Sequence, residues 1–439
     1  MFSSRILPTL LFGAAVMFQP VAAADVYRQS SAKESRSVGK SFLGVHIMYL
    51  VPRADVHGGR PTPWPEIPVG GIRLWDSGVR WADVEPQRGR WQFDRLDAYV
   101  QIAAQHGADV DYVLGSPPAW ASARPSEKCP YGLGCAAEPA DMAVWETYVR
   151  TIAKRYKGRI AVYELGNEPK FYESPDRFPG NGFYSGSVEK MVEMARIARK
   201  VVREEDPQAR IASPGFDGGA KWIEMFLAAG GKSLIDIVAY HFYAPDAPGF
   251  ANQVSNVREV MARQGVSALP LWNTESGFEA AEAGVNSLPG HRKLGRDEQA
   301  AAIVQTMVIS AAAGIERFYL YAWDHPSMGV IDADDHKQPA YAAVARAATW
   351  LSGAKFSGCH QGAADVVSCD GTKDGGPFTI AWSVSGREAR VDTPSGMQAG
   401  TREAAADTAA PGTATAPMAG DSRVSQQPTL LRWARAPAQ

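Results

Sequence analysis

Residues 160–169 read IAVYELGNEP. The segment opens as a short apolar strand and ends on Asn167, Glu168 and Pro169. Proline lacks the N–H that a strand ladder needs, so the strand stops there. A carboxylate at such a point is costly to bury unless it is paired or used. The same texture recurs along the chain: a short apolar run, a polar cluster, then residues at helical spacing. Strand patterns cover 43–47, 71–75, 110–114, 160–165, 210–212, 235–242, 270–274 and 317–322. Helical patterns cover 93–106, 142–156, 188–205, 222–229, 254–264, 297–313 and 340–351. Strands alternating with helices mean a parallel sheet. Eight such strands within about 310 residues predict a closed (β/α)8 TIM barrel of the α/β class, spanning 41–352. An open, doubly wound sheet is the competing architecture. No GxGxxG follows the first strand, so a dinucleotide fold has no support.

The flanks of the barrel read differently. At the N-terminus, Arg5 precedes a short apolar stretch and Ala22-Ala23-Ala24, the layout of a secretory signal peptide over 1–24. A cleaved signal implies a secreted or periplasmic protein. The four cysteines, Cys129, Cys135, Cys359 and Cys369, form two sequence-local pairs. In an exported chain two loop-closing disulfides are expected, Cys129–Cys135 and Cys359–Cys369. Beyond residue 352, short strand patterns separated by turn residues predict a small β-sandwich-like appendage over 353–439. Its Ala/Thr/Gly/Pro-rich stretch at 401–421 reads as a flexible loop. Lysine plus arginine, 45, nearly balance aspartate plus glutamate, 47, which argues against nucleic acid as a partner. Twelve tryptophans suit core packing, and they also suit a cleft that stacks on sugar rings.

In a barrel of this kind the chemistry sits at the C-terminal strand ends. The first strand ends near His46 and the second carries Arg73. The third ends before Trp120, the fourth in Asn167-Glu168, and the sixth in His241-Phe242-Tyr243. The seventh ends in Asn273-Thr274-Glu275, and the eighth runs to Trp323. Two glutamates therefore face each other across the mouth, among polar and aromatic residues. Paired carboxylates of this sort are the equipment of a glycosidase.

Three stretches sharpen that reading: RLWDSGVRWADVEPQRGRWQFDRLD at 73–97, VLGSPPAWAS at 113–122 and WNTESGF at 272–278. With Asn167 directly before Glu168, the chain resembles the clan A retaining glycoside hydrolases. Within that clan it looks most like glycoside hydrolase family 39, in particular its Psl-type exopolysaccharide hydrolases. The resemblance covers the barrel and implies Glu168 as acid/base and Glu275 as nucleophile. It further implies that Asn167 bonds the sugar 2-hydroxyl and that Arg73 keeps the nucleophile ionised. Tyr243, or in second place His241, would hydrogen-bond the nucleophile, and Trp323 would form a sugar platform. His46 and Trp120 complete the candidates around the cleft.

The expected activity is retaining hydrolysis of β-linked polysaccharide, endo-acting on bacterial exopolysaccharide, with no metal and no cofactor. Such a chain would work as a monomer, with an exopolysaccharide export complex as a partner beyond its polysaccharide or oligosaccharide substrate. Two rivals stand beside this reading. One is an exo-acting glycosidase of the β-xylosidase kind. The other is a non-catalytic sugar-binding component of an export complex, and the presence of both glutamates argues against it.

Overall fold

The computed structural model describes residue 27 and residues 36–53, 59–172, 177–283, 292–362, 365–407, 416–417 and 422–436. The expected signal peptide at 1–24 lies outside the described residues. Eight parallel strands form the centre: β1 Leu43–Val45, β2 Gly71–Leu74, β3 Asp109–Val113, β4 Val162–Glu164, β5 Arg210–Ala212, β6 Val238–His241, β7 Leu271–Ser276 and β8 Arg317–Leu320. Each lies beside its neighbour in sequence, and β8 returns to β1 in the register Leu43↔Phe318. Between β5 and β6 the ring is completed by two isolated parallel bridges, Ala212↔Ile237 and Phe216↔Tyr240. This is the (β/α)8 TIM barrel.

Among the described residues, seven helices of eight residues or more follow strands β2 to β8: α1 Asp94–Gln105, α2 Met142–Arg155, α3 Val188–Glu205, α4 Lys221–Ala228, α5 Ala247–Arg263, α6 Arg296–Ala312 and α7 Pro339–Leu351. Among the described residues no helix of that length separates β1 from β2. That connection carries Pro52, Pro61, Pro63, Pro65 and Pro68, which cannot sit inside a helix without losing hydrogen bonds. α3 shows why the others form. Ser187 caps it by accepting from Lys190 N, and Met191, Ala195, Ala198 and Val202 recur at helical spacing on its buried face. α5 begins seven residues before the apolar pattern that predicts it. Asp246 caps the Gly249 N–H at 2.8 Å, and Pro248 occupies the first turn, where its missing N–H does no harm.

The C-terminal region forms an antiparallel sheet of β9 Lys355–Gln361, β10 Val366–Lys373, β11 Gly376–Ser383, β12 Met397–Ala404 and β13 Thr429–Arg435. The spatial order is β9-β10-β11-β13-β12, extended at its edge by Ala416–Pro417. One face shares the barrel's hydrophobic core through Phe356, Phe378, Ile380 and Leu430. The other face buries Val366, Leu431 and Trp433 with Val391 and Val424, beneath the short pair Ala389–Arg390 and Arg423–Val424. α6 is buried almost all round because this sheet covers its outer side.

The loop expected at 401–421 starts later than its composition suggests. Residues 401–404 belong to β12, while 408–415 and 418–421 lie outside the described residues. The reason is Glu403. It is 1% exposed and accepts from Arg346 Nε and Trp350 Nε1 of α7, both at 2.9 Å. A glutamate in an Ala/Thr-rich stretch looks solvated until its buried partners are known. Both expected disulfides are present. Cys359–Cys369 joins residues directly opposed in β9 and β10. Cys129–Cys135 closes the small hairpin of Lys128–Cys129 and Gly132–Leu133. Among the described residues no helix is long and apolar enough to cross a membrane.

Candidate active site

β4 and β7 deliver the two glutamates. Past β4 the chain makes a parallel bridge from Asn167 to Gly215. Glu168 then adopts a left-handed φ of 43°, with its N–H on Gly215 O at 2.8 Å. A glutamate in this region is held against its own preference, as happens at functional sites. On β7 the pairing with β6 shifts register between Tyr240 and His241, so that His241 stands opposite Glu275. Such irregularities re-aim side chains at a barrel rim. The outcome is that one oxygen of Glu168, one oxygen of Glu275 and a ring nitrogen of His241 all lie within 4.8 Å of one another. That closeness fits the short class of carboxylate pairs, in which one carboxylate attacks the sugar itself.

The two carboxylates are supported differently. Glu275 accepts from Arg73 Nη1 at 2.8 Å and from the Tyr243 hydroxyl at 2.7 Å. Arg73 is fully buried and does not serve Glu275 alone. Its Nε and Nη2 reach Glu164 at 3.1 and 2.5 Å, and Nη2 also reaches Asn167 Oδ1 at 2.8 Å. Burial raises the Glu275 carboxyl to about 7, against the pull of the Arg73 guanidinium. Arg73 thus touches the nucleophile candidate as expected but does not hold it at an ordinary carboxyl pKa. Its charge is shared with Glu164, and desolvation outweighs the remainder.

Glu168 takes a higher value. Burial, reinforced by the negative charge of Asp217, raises its carboxyl to about 8, while Lys170 and Arg73 oppose the shift. Its partner is His241, whose Nδ1 lies 2.9 Å from Glu168 Oε1 and 3.9 Å from the nearest oxygen of Glu275. His241 therefore stands with the acid/base candidate, and Tyr243 alone of the two bonds Glu275. The His241 ring is buried, and burial lowers its pKa, which keeps it neutral.

Three further candidates sit away from the carboxylates. His46 is buried, with Nε2 on Thr274 O at 3.0 Å and its ring edge-on to Tyr321 at 5.0 Å, so it braces the floor. Trp323 is 2% exposed and packs edge-on against Tyr341 at 5.3 Å, so it is core and not a sugar platform. The strand ends at Leu320, and the turn that follows tucks residue 323 behind the mouth. Tyr321, two residues earlier, is only half-buried there. Trp120 packs edge-on to Trp81 and donates Nε1 to Glu85 O at 3.1 Å, which makes it part of the wall behind the cleft.

Sequence reading passed over Glu164, Asp76, Tyr131 and Tyr321. Glu164 had one visible signal, a charge inside an apolar strand, which demands a buried partner. Asp76 accepts from the hydroxyls of Tyr131, at 2.6 Å, and Tyr321, at 2.9 Å. Tyr131 rides on the hairpin closed by Cys129–Cys135, so that disulfide shapes one side of the site.

Two clusters among the described residues could each offer three ligand atoms to a metal ion. In the first, Glu168, His241 and Glu275, the buried Arg73 guanidinium already supplies positive charge. In the second, Asp332, Asp334 and His336, Asp332 Oδ1 is taken by the backbone N–H groups of Asp334 and His336 at 2.9 Å.

Among known proteins, the chain is similar to glycoside hydrolases. A model of glycosyl hydrolase family 10 matches residues 76–213, the span that holds Glu168. A model of the glycosyl hydrolase catalytic core matches residues 191–323, the span that holds Glu275. Endo-1,4-beta-xylanase 2 of Claviceps purpurea is 26% identical over 142 residues. That match covers 32% of this chain and only 40% of the relative. A family 39 glycoside hydrolase from the gut symbiont Bacteroides cellulosilyticus WH2 superposes with a TM-score of 0.65 at 18% identity, over 90% of this chain and 81% of that one. A family 39 β-xylosidase from Caulobacter crescentus superposes with a TM-score of 0.57 at 15% identity, over 91% of this chain and 98% of that one. Glycosyl hydrolase models thus match each of the two carboxylate-bearing spans, and the chain has the fold of the clan A glycoside hydrolases.

Proposed function

We propose that this protein is a retaining glycoside hydrolase acting on β-linked polysaccharide, with Glu168 as acid/base and Glu275 as nucleophile. The observation that carries the proposal is the pair itself: two glutamates from β4 and β7, within 4.8 Å, in unlike surroundings. Glu275 faces a cation and a tyrosine hydroxyl, the setting for a carboxylate that must attack. Glu168 faces a neutral imidazole and the negative Asp217, the setting for a carboxyl that keeps its proton. Between about pH 7 and pH 8 one is ionised while the other is protonated.

In the first step Glu168 gives its proton to the glycosidic oxygen as Glu275 attacks the anomeric carbon. The carbon–oxygen bond to the leaving sugar breaks and a glycosyl ester forms on Glu275. In the second step Glu168 removes a proton from water, whose oxygen attacks the anomeric carbon from the face the leaving sugar vacated and breaks the bond to Glu275. Asn167 has its Oδ1 engaged by Arg73, which leaves its Nδ2 as the donor for a sugar hydroxyl.

The substrate is proposed to be bacterial exopolysaccharide cut internally by an exported enzyme. The texture of residues 73–97 and 113–122, the N-terminal signal pattern and two disulfides support that choice. An exo-acting β-xylosidase is the second reading, favoured by the Caulobacter crescentus likeness. The test is to incubate the purified protein with a panel of β-linked polysaccharides, biofilm matrix included, and follow product size and anomeric configuration by proton NMR. Early release of short oligosaccharides in the β-configuration is expected. Monosaccharide alone would select the exo reading, and an initial α-product would reject the double-displacement mechanism.

A further inference from the structure

The ring of His241 is 1% exposed and uses Nδ1 for Glu168. Its other nitrogen, Nε2, is buried and has no hydrogen-bond partner among the protein atoms. The residue beneath that nitrogen is Gly215. A methyl group on its Cα would lie 2.3 Å from His241 Nε2 and 2.7 Å from Glu164 Oε1. The missing side chain therefore opens a notch that the imidazole and the Glu164 carboxylate share. Gly215 is fixed in place, since its carbonyl accepts from Glu168 N at 2.8 Å and its N–H donates to Gly166 O at 3.1 Å.

A neutral imidazole has a single N–H, and its other nitrogen can only accept. Glu164, already paired with Arg73, is an acceptor-only carboxylate. An N–H directed at it is favourable, whereas a lone pair directed at it is repelled. We infer that His241 carries its one proton on Nε2, facing Glu164 through the Gly215 notch, and so presents to Glu168 a bare Nδ1 that can only accept. His241 and Glu164 are then positioning residues for the acid/base. The O–H of Glu168 donates to Nδ1, which holds the acid loaded before the glycosidic bond is cut. After the proton has left for the sugar oxygen, the Glu168 carboxylate faces a lone pair and regains basicity, which favours removal of a proton from the attacking water. Glu168's part in this inference rests on the function proposed above.

Other charges face these groups. Glu168 also feels Asp217, Lys170, Arg73, Asp76 and Glu275, and His241 also feels Glu275, Arg73, Asp217 and His46. Lys170 and Asp217 pair with each other at 3.3 Å, and Arg73 is spread over three partners, so neither cation replaces the contact made by His241.

The test needs no substrate. Nitrogen NMR of histidine-labelled protein at pH 7 reads which ring nitrogen carries the proton, with the His241 signal assigned by its loss in His241→Gln. The Nε2–H neutral tautomer is expected. The Nδ1–H tautomer or an imidazolium would overturn the inference. Carbon NMR of the Glu168 carboxyl, assigned through Glu168→Gln, should titrate about one pH unit lower in Glu164→Gln and in Gly215→Ala. In both variants the imidazole is freed to move its proton to Nδ1. Unchanged Glu168 titration in folded variants would overturn the part given to Glu164 and the notch. Wild-type protein that shows the expected tautomer but cleaves no glycoside would instead reject the proposed function and leave the histidine assignment standing.

Discussion

Replacing Glu168 by glutamine should make the protein more stable, and the gain should depend on pH. The side chain is 15% exposed, and its carboxyl is raised from an ordinary 4.5 to about 8, chiefly by burial. The folded state therefore holds this proton more tightly than the unfolded chain does. Below the ordinary carboxyl range both states are protonated and the group is neutral with respect to folding. As pH rises through the window between 4.5 and about 8, the unfolded chain ionises while the folded one does not, and stability falls. Above about 8 the loss is complete. At 1.36 kcal/mol per pKa unit the ceiling is about 5 kcal/mol. Relaxation around a partly exposed side chain and sharing with Glu275 bring the expected figure to about 2–4 kcal/mol. Glutamine cannot ionise, and its NH2 can still donate to His241 Nδ1, so the variant escapes this loss. Urea unfolding of both proteins at pH 5 and pH 8.5 measures the difference. The advantage of the variant should be under about 1 kcal/mol at pH 5 and several-fold larger at pH 8.5. An advantage of equal size at both values, or a larger one at pH 5, would refute a raised carboxyl and with it the reading of Glu168 as the loaded acid.

The same substitution should abolish most turnover of polysaccharide, while an aryl β-glycoside with a good leaving group restores glycosylation in Glu168→Gln but not in Glu275→Gln. Equal residual rates in the two variants on that substrate would sink the assignment of roles. On an oligosaccharide, kcat/KM should be bell-shaped with its maximum near pH 7.5, because falling pH protonates Glu275 and rising pH strips Glu168. With limbs at about 7 and 8 the active form is about 0.6 of the enzyme at the maximum and about 0.01 at pH 5, so a flat profile from 5 to 9 would contradict it. The denatured, non-reduced protein should show no titratable thiol. Removing Cys129–Cys135 by serine substitution should lower stability by about 2 kcal/mol at most, since the loop is short. It should also raise KM several-fold as the brace from Tyr131 to Asp76 loosens, and an unchanged KM would detach the hairpin from substrate binding.

What the sequence determined by itself is the repeating plan and the position of the chemistry within it. Alternation of period-2 and helical patterns is local information, and so is the sudden polarity of NEP after an apolar strand. Those patterns placed eight strands, a barrel, and Glu168 and Glu275 at the ends of β4 and β7. The disulfide pairs were legible too, because their partners are only six and ten residues apart in sequence. Contacts between distant strands were not legible. Arg73 and Glu164 are 91 residues apart, and only barrel closure shows that the cation expected for Glu275 is divided with a second carboxylate. His241 and Tyr243 both point into the mouth, and which of them serves which glutamate depends on a register shift that no local pattern records. Trp323 was expected as a platform because the family resemblance implies one there, yet the turn after Leu320 buries it, and Tyr321 stands half-buried two residues earlier. Glu403 looked solvated in a low-complexity stretch, yet α7 supplies Arg346 and Trp350 to bury it. Local composition reports what a residue can do alone. Which charges are paired, shared or stripped of water is decided only when the chain brings remote elements within about 3 Å, where hydrogen bonds form and the surrounding dielectric is low.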